Sequence, residues 1–136
     1  LEPAAMLAED YVVDDSVLDR LRSQQRAIRD EGYRGLGQVE LYAINADFHE
    51  SLAAMAGNRF VVQSLSRVNH ARRLMEYARP LDRLRVRRVC DEHLGILDAL
   101  ASGDRVEAAR RLQVHLAQAA DEKANETNPP SSKEPT

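Results

Sequence analysis

The sequence predicts an all-α protein, an antiparallel bundle of about six to seven helices. Apolar residues recur at the three- and four-residue spacing of helices along most of the 136 residues. No segment shows the alternation typical of strands, and the chain contains no internal repeat. Aromatic residues are limited to four Tyr and two Phe, with no Trp, so Leu, Ala and Val must fill most of the core. Such a core suits helices packed on helices.

The predicted helices begin and end at recognisable signals. Pro3 suits the first turn of a helix, and Asp14 or Asp15 can accept hydrogen bonds from the first turn of the next one. Pro80 stops a later helix, and Asp104 is a natural N-cap for the last. The helices are expected to cover about residues 3–10, 14–32, 38–56, 58–79, 81–101 and 104–125.

Composition favours one globular domain over residues 1–125, followed by a disordered tail over residues 126–136 that contains NPPSSKEPT. The net charge of −3 and a pI near 5.8 argue against nucleic-acid binding by this chain alone. No apolar run approaches the roughly 18 residues of a membrane span, and no signal-peptide pattern opens the chain. The single cysteine, Cys90, excludes an internal disulfide and fits a reducing cytoplasm, where we expect the protein.

Three histidines and an asparagine fall on helix faces that should be apolar. Asn45 and His49 lie one helical turn apart, so their side chains stack on one face of the third helix. His93 and His115 lie on the last two helices, and the turn between them is about midway, which brings both to the same height. A metal ion is the simplest common partner for several inward imidazoles. The alternative is that each histidine is a structural residue bonded to a backbone carbonyl or a water.

Arg72 interrupts the apolar row of the fourth helix, and a buried guanidinium requires an anionic partner. That partner is either an acidic side chain or a small carboxylate or phosphate ligand, and Asn69 can add a hydrogen bond from one turn earlier. Arg73 is rotated by about 100°, so at most one of the two arginines faces the interior. His70 is expected to be exposed. The spacing predicts that the buried row of this helix consists of Val61, Leu65, Val68, Arg72 and Met75.

The sequence shows no motif of a catalytic site, so we expect that the chain is not an enzyme. It contains no glycine-rich phosphate loop and no Ser/His/Asp order, and Cys90 is expected to pack as a small apolar group. A metal could activate water. However, the one carboxylate beside a histidine in sequence, Glu92, is expected to point away from His93.

Three segments resemble the FCD domain, the effector-binding half of FadR-subgroup GntR-type bacterial transcription regulators. They are LEPAAMLAED, INADFHESLAAMAGN and DEHLGILDALASGDRVEAARRLQVHL, and the likeness covers about residues 1–125. The resemblance implies a bundle of six or seven helices that dimerises and binds a small organic acid, often through a divalent metal. DNA binding would belong to an N-terminal winged helix, and no such segment precedes Leu1, so we expect DNA contact only through a domain outside this chain.

The resemblance also implies a ligand set. Metal-binding members use an acidic residue and three histidines, which correspond here to Asn45, His49, His93 and His115. Asn45 replaces the usual aspartate, so the site loses one negative charge and the affinity for Zn²⁺ or Ni²⁺ should fall. Neutral ligands should in turn favour an anionic effector at the open metal positions.

These observations together predict a ligand-sensing regulatory domain that captures a small carboxylate at a histidine-bound metal, assisted by Arg72 and Asn69. Two alternatives remain. The chain is a helical dimerisation module with structural histidines, or it is a small metallohydrolase.

Overall fold

The computed structural model describes residues 2–31, 34–76 and 82–127, with the side chains of 72–76 and 123–127 left out. Within these ranges the chain forms six helices and no strand, which confirms the all-α prediction. The helices are α1 Glu2–Met6, α2 Asp15–Asp30, α3 Gln38–Ala54, α4 Arg59–Glu76, α5 Arg83–Ala101 and α6 Arg105–Thr127. Residues 126 and 127 therefore continue α6, and the rest of the predicted tail, 128–136, lies outside the described residues.

Side-chain caps explain where most helices begin. Asp14 accepts from Ser16 N at 3.0 Å, and Asp104 accepts from Glu107 N at 3.0 Å, as the sequence predicted. The fifth helix begins at Arg83, two residues later than expected, because the Asp82 carboxylate caps it. The ends of α3 and α5 are followed by Gly57 and Gly103 in the left-handed region, with φ of 70° and 82°.

The helices pack so that α5 lies in the middle of the molecule. It contacts α2 on one side and α6 on the other, while α3 packs against α4, and α1 bridges α6 and α3. The short turn at residues 102–104 makes α5 and α6 an antiparallel hairpin. The central core is aliphatic apart from Phe48 and Tyr11. Its most deeply buried members are Met6, Leu18, Leu21, Phe48, Leu52, Ile96, Leu97, Leu100, Ala108 and Leu112.

The predicted buried row of α4 is partly wrong. Val68 is 43% exposed, whereas its neighbour Asn69 is buried. The inward face of α4 contains Leu65 and Asn69, which are four residues apart. This face packs against α3, where the side chain of Asn69 donates a hydrogen bond to Glu50. Helical spacing permits either a three- or a four-residue step at each turn, so the sequence alone could not choose between them.

The first helix ends at Met6 rather than near residue 10, whereas the predictions for Cys90 and His70 agree with the described residues. Cys90 is buried in a small second cluster with Ile28, and burial raises the pKa of its thiol to about 11. His70 is exposed on α4. Among the described residues, no helix has the length and apolar character that crossing a membrane requires.

Candidate metal centre

Three imidazoles from three helices meet in the interior. His49 on α3, His93 on α5 and His115 on α6 are 5%, 1% and 6% exposed, and one nitrogen from each lies within 4.8 Å of the others. The closest pair is His93 Nε2 and His115 Nε2, 3.1 Å apart. The α5–α6 hairpin therefore brings its two histidines to the same height, as the position of the turn predicted.

Each imidazole has its other nitrogen occupied by an oxygen acceptor. His49 Nδ1 lies 2.8 Å from Glu2 Oε1, His93 Nδ1 lies 3.0 Å from Gln25 Oε1, and His115 Nδ1 lies 2.9 Å from Glu92 Oε2. These contacts orient the three rings, and the Nε2 atoms of His93 and His115 face each other at 3.1 Å. Histidine ligands of metals show this arrangement, in which an outer oxygen holds the second ring nitrogen and raises the basicity of the first.

Sequence reasoning missed two of these oxygen partners and misplaced the third. Glu92 was expected to point away from the histidines. It does not contact His93, its neighbour in sequence, but it reaches His115 on the adjacent helix. Glu2 and Gln25 are buried polar residues on apolar faces of α1 and α2, and that position was the available signal. Their partners lie 47 and 68 residues away along the chain, beyond the reach of local periodicity.

Phe48 forms one wall of the histidine cluster. Its ring stacks on His93 with centroids 3.9 Å apart and an interplanar angle of 14°, and it meets His49 edge-on at 5.4 Å. The side chain is fully buried. Phe48 therefore limits the orientations of His93 from the apolar side, while Gln25 holds that ring by hydrogen bonding.

The donor set fits a divalent transition metal. A metal about 2.0–2.1 Å from each nitrogen, with tetrahedral or octahedral angles, requires nitrogens about 2.8–3.4 Å apart. The 3.1 Å between His93 and His115 meets this requirement, and the ligand nitrogen of His49 lies within 4.8 Å of the other two, so metal binding would draw it closer. Three imidazoles leave at least one metal position for another ligand.

The charges around the cluster also fit a cation. Glu2 is a buried carboxylate whose hydrogen bond goes to His49, and a buried negative charge needs nearby positive charge. Glu92 is half-buried and also faces Arg88 at 3.7 Å. Both carboxylates therefore place negative charge beside the three imidazoles, although Arg88 shares that of Glu92.

Burial favours the neutral form of two of the three histidines. Desolvation, and then the neighbouring His49 and His115, lower the pKa of His93 well below its usual value. Burial also lowers the pKa of His115, although its hydrogen bond to Glu92 opposes the shift. Neutral imidazole is the form that binds metals, so both histidines remain ready to bind at neutral and mildly acidic pH.

These lowered pKa values predict how stability depends on pH in chelator-treated protein. Between the pKa of each histidine in the folded protein and about pH 6.5, His93 and His115 bind protons in the unfolded chain but not in the folded protein. The free energy of unfolding therefore rises with pH in this window and falls as the pH is lowered. The expected slope is at most about 1.4 kcal/mol per pH unit for each histidine. Urea unfolding from pH 7.5 to 5.5 measures it. Asp14 and Glu107, whose pKa values are lowered by hydrogen bonds from Ser16 and Arg110 respectively, titrate below this window.

Two variants separate the histidine contribution from a general acid effect. His93→Gln should reduce the pH slope because one buried titrating group is lost. His70→Gln should leave the slope unchanged, because that histidine is exposed on α4. A slope equal in all three proteins would contradict the lowered pKa values.

The other predicted site residues are Asn45 and Asn69, whose side chains the structure describes, and Arg72, whose side chain it does not. Asn45 is half-buried on α3, one turn before His49. Asn69 is buried, and its amide nitrogen donates to Glu50 Oε1 at 3.2 Å while its backbone oxygen accepts from the Tyr42 hydroxyl. Arg72 lies one turn further along α4, and its side chain lies outside the described residues, as does that of Arg73.

A separate open groove of about 660 Å³ runs between α1 and α6. Its lining includes Leu7, Val106 and Arg110 and none of the three histidines. The groove is therefore distinct from the histidine cluster, which is enclosed by Phe48 and by the oxygen partners.

The helical bundle thus encloses three oriented imidazoles that could hold a metal ion. The family profile of the FCD domain matches residues 1–118, and the chain belongs to that family. It is accordingly a ligand-sensing regulatory domain of the GntR-type transcription regulators, a regulatory effector-binding class rather than a catalytic one. Comparisons with curated proteins and with solved structures found no match.

Proposed function

We propose that this domain senses a small organic acid at a divalent metal, Zn²⁺ or Ni²⁺, bound by His49, His93 and His115. The observation that carries the proposal is the convergence of three buried imidazoles whose Nδ1 atoms are all occupied by oxygens. A cluster of structural histidines has no need for the same nitrogen of every ring to be held by an oxygen. A common cation explains the pattern.

Asn45 is proposed as a fourth, weaker ligand through its amide oxygen. It lies four residues before His49 on α3, so both side chains project from one helical face. The amide carries no charge. The negative charge around the metal then comes from Glu2 and Glu92 in the outer layer, where both are hydrogen-bonded to ligand histidines.

The effector is proposed to be a small carboxylate that occupies an open metal position. The metal would supply positive charge for the carboxylate, and the protein would exclude water from the enclosed site. Glu2 and Glu92 already place negative charge beside the histidines, so an added carboxylate would be favoured by a further cation. Arg72 is proposed to provide it in a charge-assisted hydrogen bond, with Asn69 assisting from the preceding turn of α4.

The domain is proposed to act as a homodimer that transmits effector binding to DNA through a winged-helix domain outside residues 1–136. Effector binding must then favour one arrangement of the dimer over another, since a ligand shifts an equilibrium only by its difference in affinity. Family membership supports this arrangement. Sedimentation of the protein with and without Zn²⁺ and a carboxylate tests the dimer.

The central test is a thermal-shift screen of small carboxylates on Zn²⁺-loaded and chelator-stripped protein. At 100 times its dissociation constant, a carboxylate should stabilise the loaded protein by about 2.7 kcal/mol, which raises its Tm by several degrees. The stripped protein should respond much less, because the metal provides the main anchor for the ligand. The uncharged amide of each acid is the matched control and should give little shift.

Other outcomes would contradict the proposal. Equal shifts in loaded and stripped protein would remove the metal from the mechanism. Failure to take up Zn²⁺ or Ni²⁺ at all would favour the helical dimerisation module with structural histidines.

A further inference from the structure

A chain of ion pairs between α5 and α6 ends at one of the three histidines. The carboxylate of Glu122 on α6 bridges two arginines of α5, with Arg85 Nε 2.8 Å from its Oε2 and Arg88 donating to its Oε1. Arg88 Nε also lies 3.7 Å from Glu92 Oε1, and the other oxygen of Glu92 lies 2.9 Å from His115 Nδ1. The four charged side chains are 23–49% exposed, so water screens their interactions only in part.

The antiparallel packing of two helix faces accounts for this chain of contacts. Arg85, Arg88 and Glu92 are spaced by three and four residues, so they follow one face of α5. His115 and Glu122 are seven residues apart, which is two turns along one face of α6. Because α5 and α6 form an antiparallel hairpin, these faces run side by side in opposite directions. Glu122 therefore meets the two arginines at the level where His115 is two turns away beside Glu92.

Arg88 has two carboxylate partners at unequal distances. It donates a hydrogen bond to Glu122, whereas its separation of 3.7 Å from Glu92 is too long for a hydrogen bond and acts through charge alone. Positive charge this close to Glu92 offsets part of the negative potential that Glu92 exerts at His115. A less negative potential at a ligand histidine disfavours a bound cation, because the outer carboxylate is what raises the basicity of the ring.

We propose that Arg88 is a positioning residue that lowers the metal affinity of the histidine cluster by acting on Glu92, and that Glu122 limits this effect by holding Arg88. Without Glu122, Arg88 would turn to Glu92 and form the hydrogen bond that it lacks here, which draws this carboxylate away from His115. Without Arg88, the full charge of Glu92 would act on His115. Removal of the two partners of one ion pair should therefore change metal affinity in opposite directions.

This inference rests on the proposed function, since it takes His115 as a metal ligand. The full chain is stripped of metal and titrated with Zn²⁺ against a competing chelator. Arg88→Met should tighten Zn²⁺ binding by about two- to fivefold, and Glu122→Gln should weaken it by a similar factor, which is the range for partly exposed ion pairs. Arg88→Lys keeps the charge and should bind Zn²⁺ as the unmodified chain does.

The stability of the metal-free protein provides a second readout. Arg88→Met and Glu122→Gln each remove the same ion pair, so both variants should lose a little stability in urea unfolding after chelator treatment. An effect on folding alone would thus have the same sign in both variants. Opposite shifts in Zn²⁺ affinity cannot arise from that loss.

A second group of ion pairs on α6 provides matched controls. Glu107 also bridges two arginines, Arg110 and Arg111. Arg111 is 48% exposed against 49% for Arg88, so water screens the two charges to a similar extent. Within the described part of the chain, no hydrogen bond or ion pair joins this second group to Glu92. Arg111→Met and Glu107→Gln should therefore leave Zn²⁺ affinity nearly unchanged at an ionic strength of about 0.15 M.

The outcomes distinguish this inference from the proposed function. If Arg88→Met and Glu122→Gln shift Zn²⁺ affinity in the same direction, or leave it unchanged, the role of Arg88 is overturned and the metal site stands. If Arg111→Met tightens binding as much as Arg88→Met, a general effect of charge replaces the action through Glu92, and the inference is again overturned. If the unmodified chain takes up no Zn²⁺, the metal site itself fails, and the role of Arg88 fails with it.

Discussion

Replacing His93 with alanine is expected to abolish tight Zn²⁺ binding. His93 is the most deeply buried of the three rings, with centroids 5.2 Å from His49 and 4.7 Å from His115. Its loss removes one of the three proposed nitrogen ligands and leaves Gln25 without its histidine partner. Outer-layer changes at metal sites cost about 10–100-fold in affinity, so removal of a ligand should cost more than 100-fold. Zn²⁺ titration against a competing chelator, together with metal content by mass spectrometry, measures the effect.

His70→Ala is the matched control for this substitution. It also removes an imidazole, but one on the exposed face of α4. The metal content should therefore remain at about one equivalent per chain, the stoichiometry of a single three-histidine site. A His93→Ala protein that is folded by circular dichroism and still binds Zn²⁺ with unchanged affinity would exclude the three-histidine site. His93→Gln keeps more of the buried volume and repeats the test if the alanine variant is unstable.

Phe48→Ala is expected to cause the largest loss of stability. The ring is fully buried in the central cluster and stacks on His93, so truncation leaves a cavity next to a polar ring that then loses its apolar wall. Buried Phe→Ala substitutions cost about 3–5 kcal/mol. That is a large part of the total stability of an ordinary domain, about 5–15 kcal/mol. Urea unfolding of chelator-treated protein measures the change.

Two comparisons test whether burial causes this loss. Phe60→Ala makes the same change at a ring that is 80% exposed, and it should alter stability by no more than about 0.5 kcal/mol. Phe48→Leu keeps much of the volume and should cost less than the alanine variant. Equal losses at positions 48 and 60 would contradict the packing described here.

Local spacing was sufficient to predict several features of the fold and the site. The helical class follows from the period of the apolar residues, and caps such as Asp14 and Asp104 were recognisable because they act within three residues of themselves. The pairing of His93 with His115 was also predictable, since both sit in one hairpin at equal distances from its turn. These are short-range relations that a sequence displays directly.

Longer-range relations were missed or misjudged. Glu92 was assigned an outward direction from its position beside His93, yet α6 passes close enough for it to bind His115. A three-residue spacing from Leu65 predicted that Val68 is buried. In the structure the next buried residue of α4 is Asn69, four residues after Leu65, on the side that faces α3. In both cases the packing of a second helix decided which side of the first became the interior.

The sequence by itself determined the helical elements, the candidate histidines and the family resemblance, because each depends on residue type and local spacing. Only the tertiary structure decided that Glu2 holds His49, that Gln25 holds His93, and that one nitrogen of each of the three rings lies within 4.8 Å of the others. The physical reason is that a hydrogen bond between helices depends on their relative rotation and height. Those quantities are set by the packing of the whole core, and no local period encodes them.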